Sequence, residues 1–184
     1  MSTVVAVEYL SLDGVMEEPG GWSGPYFNGE VSQFQHDNLF GSSALLLGRV
    51  TYEGFKSAWP TMTDEAGFAD QMNGMPKYVA SSTLDKGEWN ATLLTGDVVE
   101  EVTRLKREVE GSLLINGSAR LFQTLHAAGL IDEYRFMIYP VVVGSGKRLF
   151  AEGSGQGGLS LVKSQITDSG VAILTYRPAA AKVA

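Results

Sequence analysis

Cysteine is absent from this 184-residue chain, which excludes disulfides, thiolate zinc sites and a cysteine nucleophile. Histidine is scarce. Only His36 and His126 occur, too few for a multi-histidine centre, and no metal is expected. Basic residues are also few, 14 Lys and Arg against 21 Asp and Glu, for a formal net charge of −7. An acidic surface opposes non-specific binding to nucleic acid or anionic membranes, which need clustered Lys and Arg. No apolar run approaches the roughly 20 residues that span a bilayer. The amino terminus, Met1-Ser2-Thr3-Val4-Val5, lacks the basic region and cleavage pattern of a signal peptide. A cytoplasmic location is the expectation, without nucleic-acid or membrane partners.

Apolar residues make up 44% of the chain and charged residues 19%, a globular balance. The length suits one domain, placed at residues 1–178, with a disordered tail at 179–184. Eight segments read as strands: Val4–Ser11, Ala44–Leu47, Lys77–Ala80, Thr92–Thr95, Ser112–Ile115, Tyr134–Val143, Leu159–Thr167 and Val171–Tyr176. Asp168-Ser169-Gly170 joins the last two as a hairpin. Helical patterns lie between the earlier strands. Asn28 is placed to cap the first, and a second runs from near Val50 to before Pro60. A short one covers Glu65–Asn73. Asp97 and Glu100 form a capping-box pattern ahead of Val98, Val102, Leu105 and Val109, and a last helix spans Ser118 to Gly129. Alternating strands and helices predict an α/β sheet, mostly parallel, closed by an antiparallel hairpin.

Two strand-turn-helix junctions carry the chemistry. Leu113-Leu114-Ile115-Asn116-Gly117-Ser118-Ala119 runs from a buried strand into a tight turn and a helix start. Leu45-Leu46-Leu47-Gly48-Arg49-Val50-Thr51 repeats the arrangement and adds an arginine and a hydroxyl. Backbone N–H groups at a helix start suit phosphate, and two such sites suggest a pyrophosphate. Each motif also has a plainer reading. Gly48 and Arg49 also read as a turn glycine and a surface arginine, and Asn116-Gly117-Ser118 as a turn with an N-cap serine. Ser81-Ser82-Thr83 also fits a polar loop, and Asp13 an Asx-turn with Gly14. Trp22 and Tyr26 lie in the loop Gly14–Gly29 and either stack on a planar ligand or pack the loop down. Gly144-Ser145-Gly146-Lys147 fails the P-loop spacing, because Val141 stands at the first glycine position.

Taken in order, Ser11-Leu12-Asp13-Gly14, Gly48-Arg49-Val50-Thr51-Tyr52 and Ala80-Ser81-Ser82-Thr83 resemble the dihydrofolate reductase-like superfamily. The run Ile115-Asn116-Gly117-Ser118 through Gly129-Leu130-Ile131-Asp132-Glu133 and Pro140-Val141-Val142-Val143-Gly144 is similar to the reductase domain of the riboflavin-biosynthesis deaminase-reductase, here standing alone. The resemblance implies a central eight-stranded sheet flanked by helices, NADPH as cofactor and a homodimer. It implies phosphate contacts from Gly48, Arg49 and Thr51, adenosine 2′-phosphate contacts from Ser81 and Ser82, and pyrophosphate contacts from Gly117, Ser118 and Ala119. The Asp13–Trp22 loop would close over nicotinamide and substrate. The implied activity is NADPH-dependent hydride transfer to a small planar heterocycle, a pterin or a riboflavin precursor such as 5-amino-6-(5-phosphoribosylamino)uracil. The chain departs from the pattern in lacking a glutamate at Asn116, a lysine near Val7 and the first-helix carboxylate near Ser32. Asp13, Glu30 and Asp37 remain as candidate acids for protonation, and Trp22 and Tyr26 as substrate contacts. A non-catalytic nucleotide- or flavin-binding protein on the same fold is the alternative.

Overall fold

A computed structural model describes residues 1–154 and 157–180. The expected tail falls partly outside it, since residues 181–184 lie beyond the described residues. Eight strands form one sheet: β1 (Thr3–Ser11), β2 (Ala44–Gly48), β3 (Lys77–Ala80), β4 (Ala91–Leu94), β5 (Ser112–Asn116), β6 (Glu133–Tyr139), β7 (Leu159–Ile166) and β8 (Ala172–Pro178). Their order is β4-β3-β2-β5-β1-β6-β8-β7. The first six run parallel, and β8 pairs antiparallel with both β6 and β7.

The central strands are continuously apolar because both faces are covered. Val4, Ala6, Leu46, Leu113 and Ile115 face α4 (Val98–Glu108) and α5 (Ala119–Ala127). Val5, Val7, Leu45, Leu47 and Leu114 face α1 (Gly29–Phe40), α2 (Arg49–Ala58) and α3 (Phe68–Gly74). Among the described residues, no helix is long and apolar enough to cross a membrane.

Among the strand boundaries, the end of β6 departs furthest from expectation. The strand predicted to reach Val143 stops at Tyr139, because Pro140 has no N–H to continue the ladder. Lys77 is the one fully buried lysine among the described residues. Its ammonium donates to the Met75 carbonyl at 2.8 Å and sits 3.9 Å over the Trp89 ring. Burial pushes its pKa down to about 8.

Phe122 on α5 is fully buried and packs against His126, Tyr134 and Phe150. Phe122→Ala should lower the unfolding free energy in urea by about 3–5 kcal/mol, through lost burial and the cavity left behind. A loss under about 1 kcal/mol would mean this layer does not hold the helix to the sheet.

Candidate functional site

Strands β2, β3, β4 and β5 all end on the same side of the sheet, so the segments that follow them converge. Together with the end of β1 they line one cleft of about 1880 Å³. A pocket for one drug-sized ligand holds roughly 300–1,000 Å³, so this cleft has room for two molecules.

Its floor is a knot of side chains and backbone joining the turns after β2 and β5. The Gly48 N–H donates to the Ser118 hydroxyl at 2.9 Å, and the Ser118 N–H donates to the Thr51 hydroxyl at 3.1 Å. The Gly117 N–H donates to Glu8 Oε2 at 2.9 Å. Gly117 and Ser118 adopt consecutive left-handed conformations, φ +62° and +60°. At Gly117 a side chain would also approach Thr51 Oγ1 at 3.3 Å, so glycine is required twice over. These bonds correct the sequence reading. Ser118 does not cap α5, since its hydroxyl is turned toward Gly48. The amides of Gly48, Gly117 and Ser118 are spoken for within the protein, and so is an acceptor position on Thr51.

The amides left for a ligand are those of the first turns of α2 and α5. Asn28 caps α1 and Asp97 caps α4, while Asp64 accepts from the Phe68 and Ala69 amides at the start of α3. Glu100 adds nothing to the α4 cap among the described residues, so the box is half formed. By contrast, α2 and α5 have no capping side chain, and both open on the cleft. Each carries an arginine in its first turn, Arg49 and Arg120. The helix dipole makes that position unfavourable for a cation unless an anion sits nearby. Arg49 pairs with Glu53 at 3.1 Å, and Arg120 has no carboxylate partner among the described residues. Ala119 supplies the first amide of α5 and lines the cleft. From the turn after β3, exposed Ser82 and Thr83 line it as well. The Ser81 hydroxyl instead accepts from the Thr83 and Leu84 amides and shapes that turn.

Three predicted ligand contacts lie outside the cleft lining. The Asp13 carboxylate accepts from the Ser11 hydroxyl (2.7 Å) and from the Val143 and Gly144 amides (3.0 and 2.9 Å). Those bonds, the Ser11 hydroxyl first, hold its pKa at about 2, so it has no proton to give near neutrality. It bridges two loops rather than forming an Asx-turn with Gly14. Trp22 and Tyr26 pack edge-on against Tyr139, at 5.6 and 6.3 Å between ring centroids, and fasten the loop to the body. Neither Glu30 nor Asp37 lines the cleft, and Glu30 accepts from the Asp168 amide.

Two features escaped sequence reading. One is an apolar wall of Phe27, Phe55, Trp59, Phe68 and Met72 between α1, the end of α2 and α3. Of these, Phe55, Trp59 and Phe68 sit at spacings that read equally well as core. The other is Glu8, 1% exposed at the end of β1, with burial pushing its pKa well above the usual carboxylate value. Its signal was one acid in the apolar run Val4-Val5-Ala6-Val7-Glu8-Tyr9.

With this geometry in place, residues 2–173 match the family model for the RibD C-terminal domain. The chain is 30% identical over 177 residues to the uncharacterized protein YyaP of Bacillus subtilis, covering 91% of this chain and 90% of that one. A candidate riboflavin biosynthesis protein from Shewanella sp. PV-4 superposes with a TM-score of 0.80 at 22% identity, over 97% and 99% of the two chains. Dihydrofolate reductase from Enterococcus faecalis, in complex with NADP(H) and RAB-propyl, superposes at 0.66 with 17% identity, over 96% of each chain. Identities this low establish a shared dihydrofolate reductase-like fold.

The knot makes its own prediction. Ser118→Ala removes the acceptor of the Gly48 N–H, and urea unfolding should show a loss of about 1 kcal/mol. Unchanged stability would mean the two turns hold their positions without the hydroxyl.

Proposed function

The chain belongs to the RibD C-terminal domain family, a reductase-type family, and we propose that it is an NADPH-dependent reductase of a small planar heterocycle. The observation carrying this reading is the pair of uncapped helix starts, each with a first-turn arginine, facing one cleft. The fit is chemical. Free amides, positive helix ends and two guanidinium groups form a donor set for a pyrophosphate. Arg49 and the first amides of α2 would hold one phosphate, and Arg120 with Ala119 the other. Ser82 and Thr83, which line the cleft, would offer hydroxyl donors to an adenosine 2′-phosphate. A bound reduced nicotinamide supplies hydride; the protein supplies position and charge.

The apolar wall narrows the second ligand. Phe27, Phe55, Trp59, Phe68 and Met72 form a surface for a flat ring, and Trp59 and Phe68 lie 5.4 Å apart between centroids. The lining residues of α1, α3 and the end of α2 include His36 but no Lys or Arg. A phosphorylated sugar would find no guanidinium or ammonium there. This favours a pterin-like, phosphate-free ring over a phosphoribosyl pyrimidine.

A homodimer belongs to the same reading. Leu161, Val162 and Ile166 are 55%, 51% and 67% exposed on the edge strand β7, which is apolar surface that a second copy would cover.

Calorimetric titration with NADPH and, separately, NADH tests the cofactor. Micromolar binding with a preference for NADPH is expected, and Arg49→Ala should weaken it by about 1.5–3 kcal/mol. Equal affinity of the variant would remove Arg49 from the site, and no binding of either nucleotide would end the nicotinamide reading. Sedimentation equilibrium should return twice the 19.8 kDa chain mass; a monomer at every concentration would dispose of the dimer.

A further inference from the structure

Glu8 is the chemical outlier of the molecule. Side chains on β1 alternate, so Val4, Ala6, Glu8 and Leu10 share one face, and Glu8 stands in line with three buried apolar residues. It lies opposite Phe136 on β6, beside the end of β5. Oε2 accepts from the Gly117 N–H, whereas Oε1 is buried and has no partner among the described residues. Charged groups stand on the elements around it: Glu17 and Glu18 after β1, Arg120 on α5, and Lys147 and Arg148 after β6. None of them pairs with it. Lys147 pairs with Glu17 and Arg148 approaches Asp13.

An ionised carboxylate in this position would carry an uncompensated charge away from water, at a cost of several kcal/mol. A neutral carboxylic acid avoids that cost. It still accepts the Gly117 N–H through Oε2 and turns the orphan Oε1 into a donor. Glu8 lines the cleft, and Oε1 is buried within its wall.

We propose that Glu8 holds a proton on Oε1 at neutral pH and is the acid that protonates the substrate. The proposal rests on the reductase reading above. As the carbon of the substrate's C=N or C=O bond takes hydride from reduced nicotinamide, its nitrogen or oxygen takes the Glu8 proton. The Oε1–H bond breaks, an N–H or O–H bond forms, and the carboxylate regains a proton from water. Asp13, ionised and outside the cleft lining, cannot serve this role. Neither Glu30 nor Asp37 reaches the cleft.

The sign of the stability effect follows from burial. A carboxyl whose folded-state pKa is raised above its unfolded value near 4.5 stays protonated in the native state while the unfolded chain ionises. The unfolded state then binds fewer protons, so stability falls as pH rises above that value until the native group ionises too. Glu8→Gln keeps the shape and both hydrogen-bonding roles without the titration.

The experiment has two arms. Without cofactor, infrared difference spectra of wild type against Glu8→Gln should show a protonated carboxylic acid band at pH 7 in the wild type alone. Urea midpoints should fall with rising pH more steeply in wild type than in Glu8→Gln, and the variant should be the more stable at neutral pH. No acid band and parallel pH profiles would overturn the held proton. With NADPH and a panel of quinonoid and dihydropterins, Glu8→Gln should lower kcat at least 100-fold while the NADPH Kd stays within threefold. An acid band with undiminished kcat would overturn the donor role. Failure of both proteins to bind NADPH would sink the reductase reading and the donor role with it, and the first arm would still decide the held proton.

Discussion

The structure hangs on the junction between β2 and β5. These strands are neighbours in the sheet although 69 residues separate their paired positions, Ala44 with Leu113 and Leu45 with Leu114. Their following turns are locked by reciprocal bonds: the Ser118 hydroxyl accepts from Gly48, and the Thr51 hydroxyl accepts from Ser118. Because each turn supplies the other's acceptor, α2 and α5 start side by side with fixed aim. Gly117 lets Thr51 come close enough to close the knot. Everything proposed for the polar half of the cleft depends on that alignment.

The layout was legible wherever burial is reflected in local composition. Runs such as Leu45-Leu46-Leu47 and Leu113-Leu114-Ile115 are apolar because helices cover both faces of the sheet, and their strands sit where the pattern places them. Asn28 and Asp97 cap as their spacing suggests, since capping is decided within three residues. The roles of the polar site residues were less legible. Ser118 stands at a helix start, where a serine ordinarily caps, yet its partner lies 70 residues away. Asp13 looked like a turn former, and its amide partners at Val143 and Gly144 are 130 residues downstream. Glu8 was hardest to read, because one acid in an apolar strand takes its meaning from Gly117, 109 residues away. Arg49 and Arg120 carried a local signal after all, as cations in a helix's first turn.

The cleft is divided chemically. One half offers amides and guanidinium groups, and the other offers rings and a thioether, while Glu8 lies on the face of β1 turned toward α4 and α5. Its loop is held from outside by the Asp13 bridge and by the packing of Trp22 and Tyr26 on Tyr139. The residues that do face inward, Met16 to Gly20 with Ser23 and Phe27, are thus carried on a segment fastened at both ends.

Of the five α-helices among the described residues, three carry a side chain that bonds their first amides, and α2 and α5, which open on the cleft, do not. Seen as secondary structure, α2 and α5 are unfinished in the chain by itself. An anion that bonds their first amides completes them, and so becomes part of the folded state in the thermodynamic sense. A ligand that binds only the native chain adds about 2.7 kcal/mol at a hundred times its Kd. The durability of this protein in a cell would then track the supply of the molecule that fills the two missing caps.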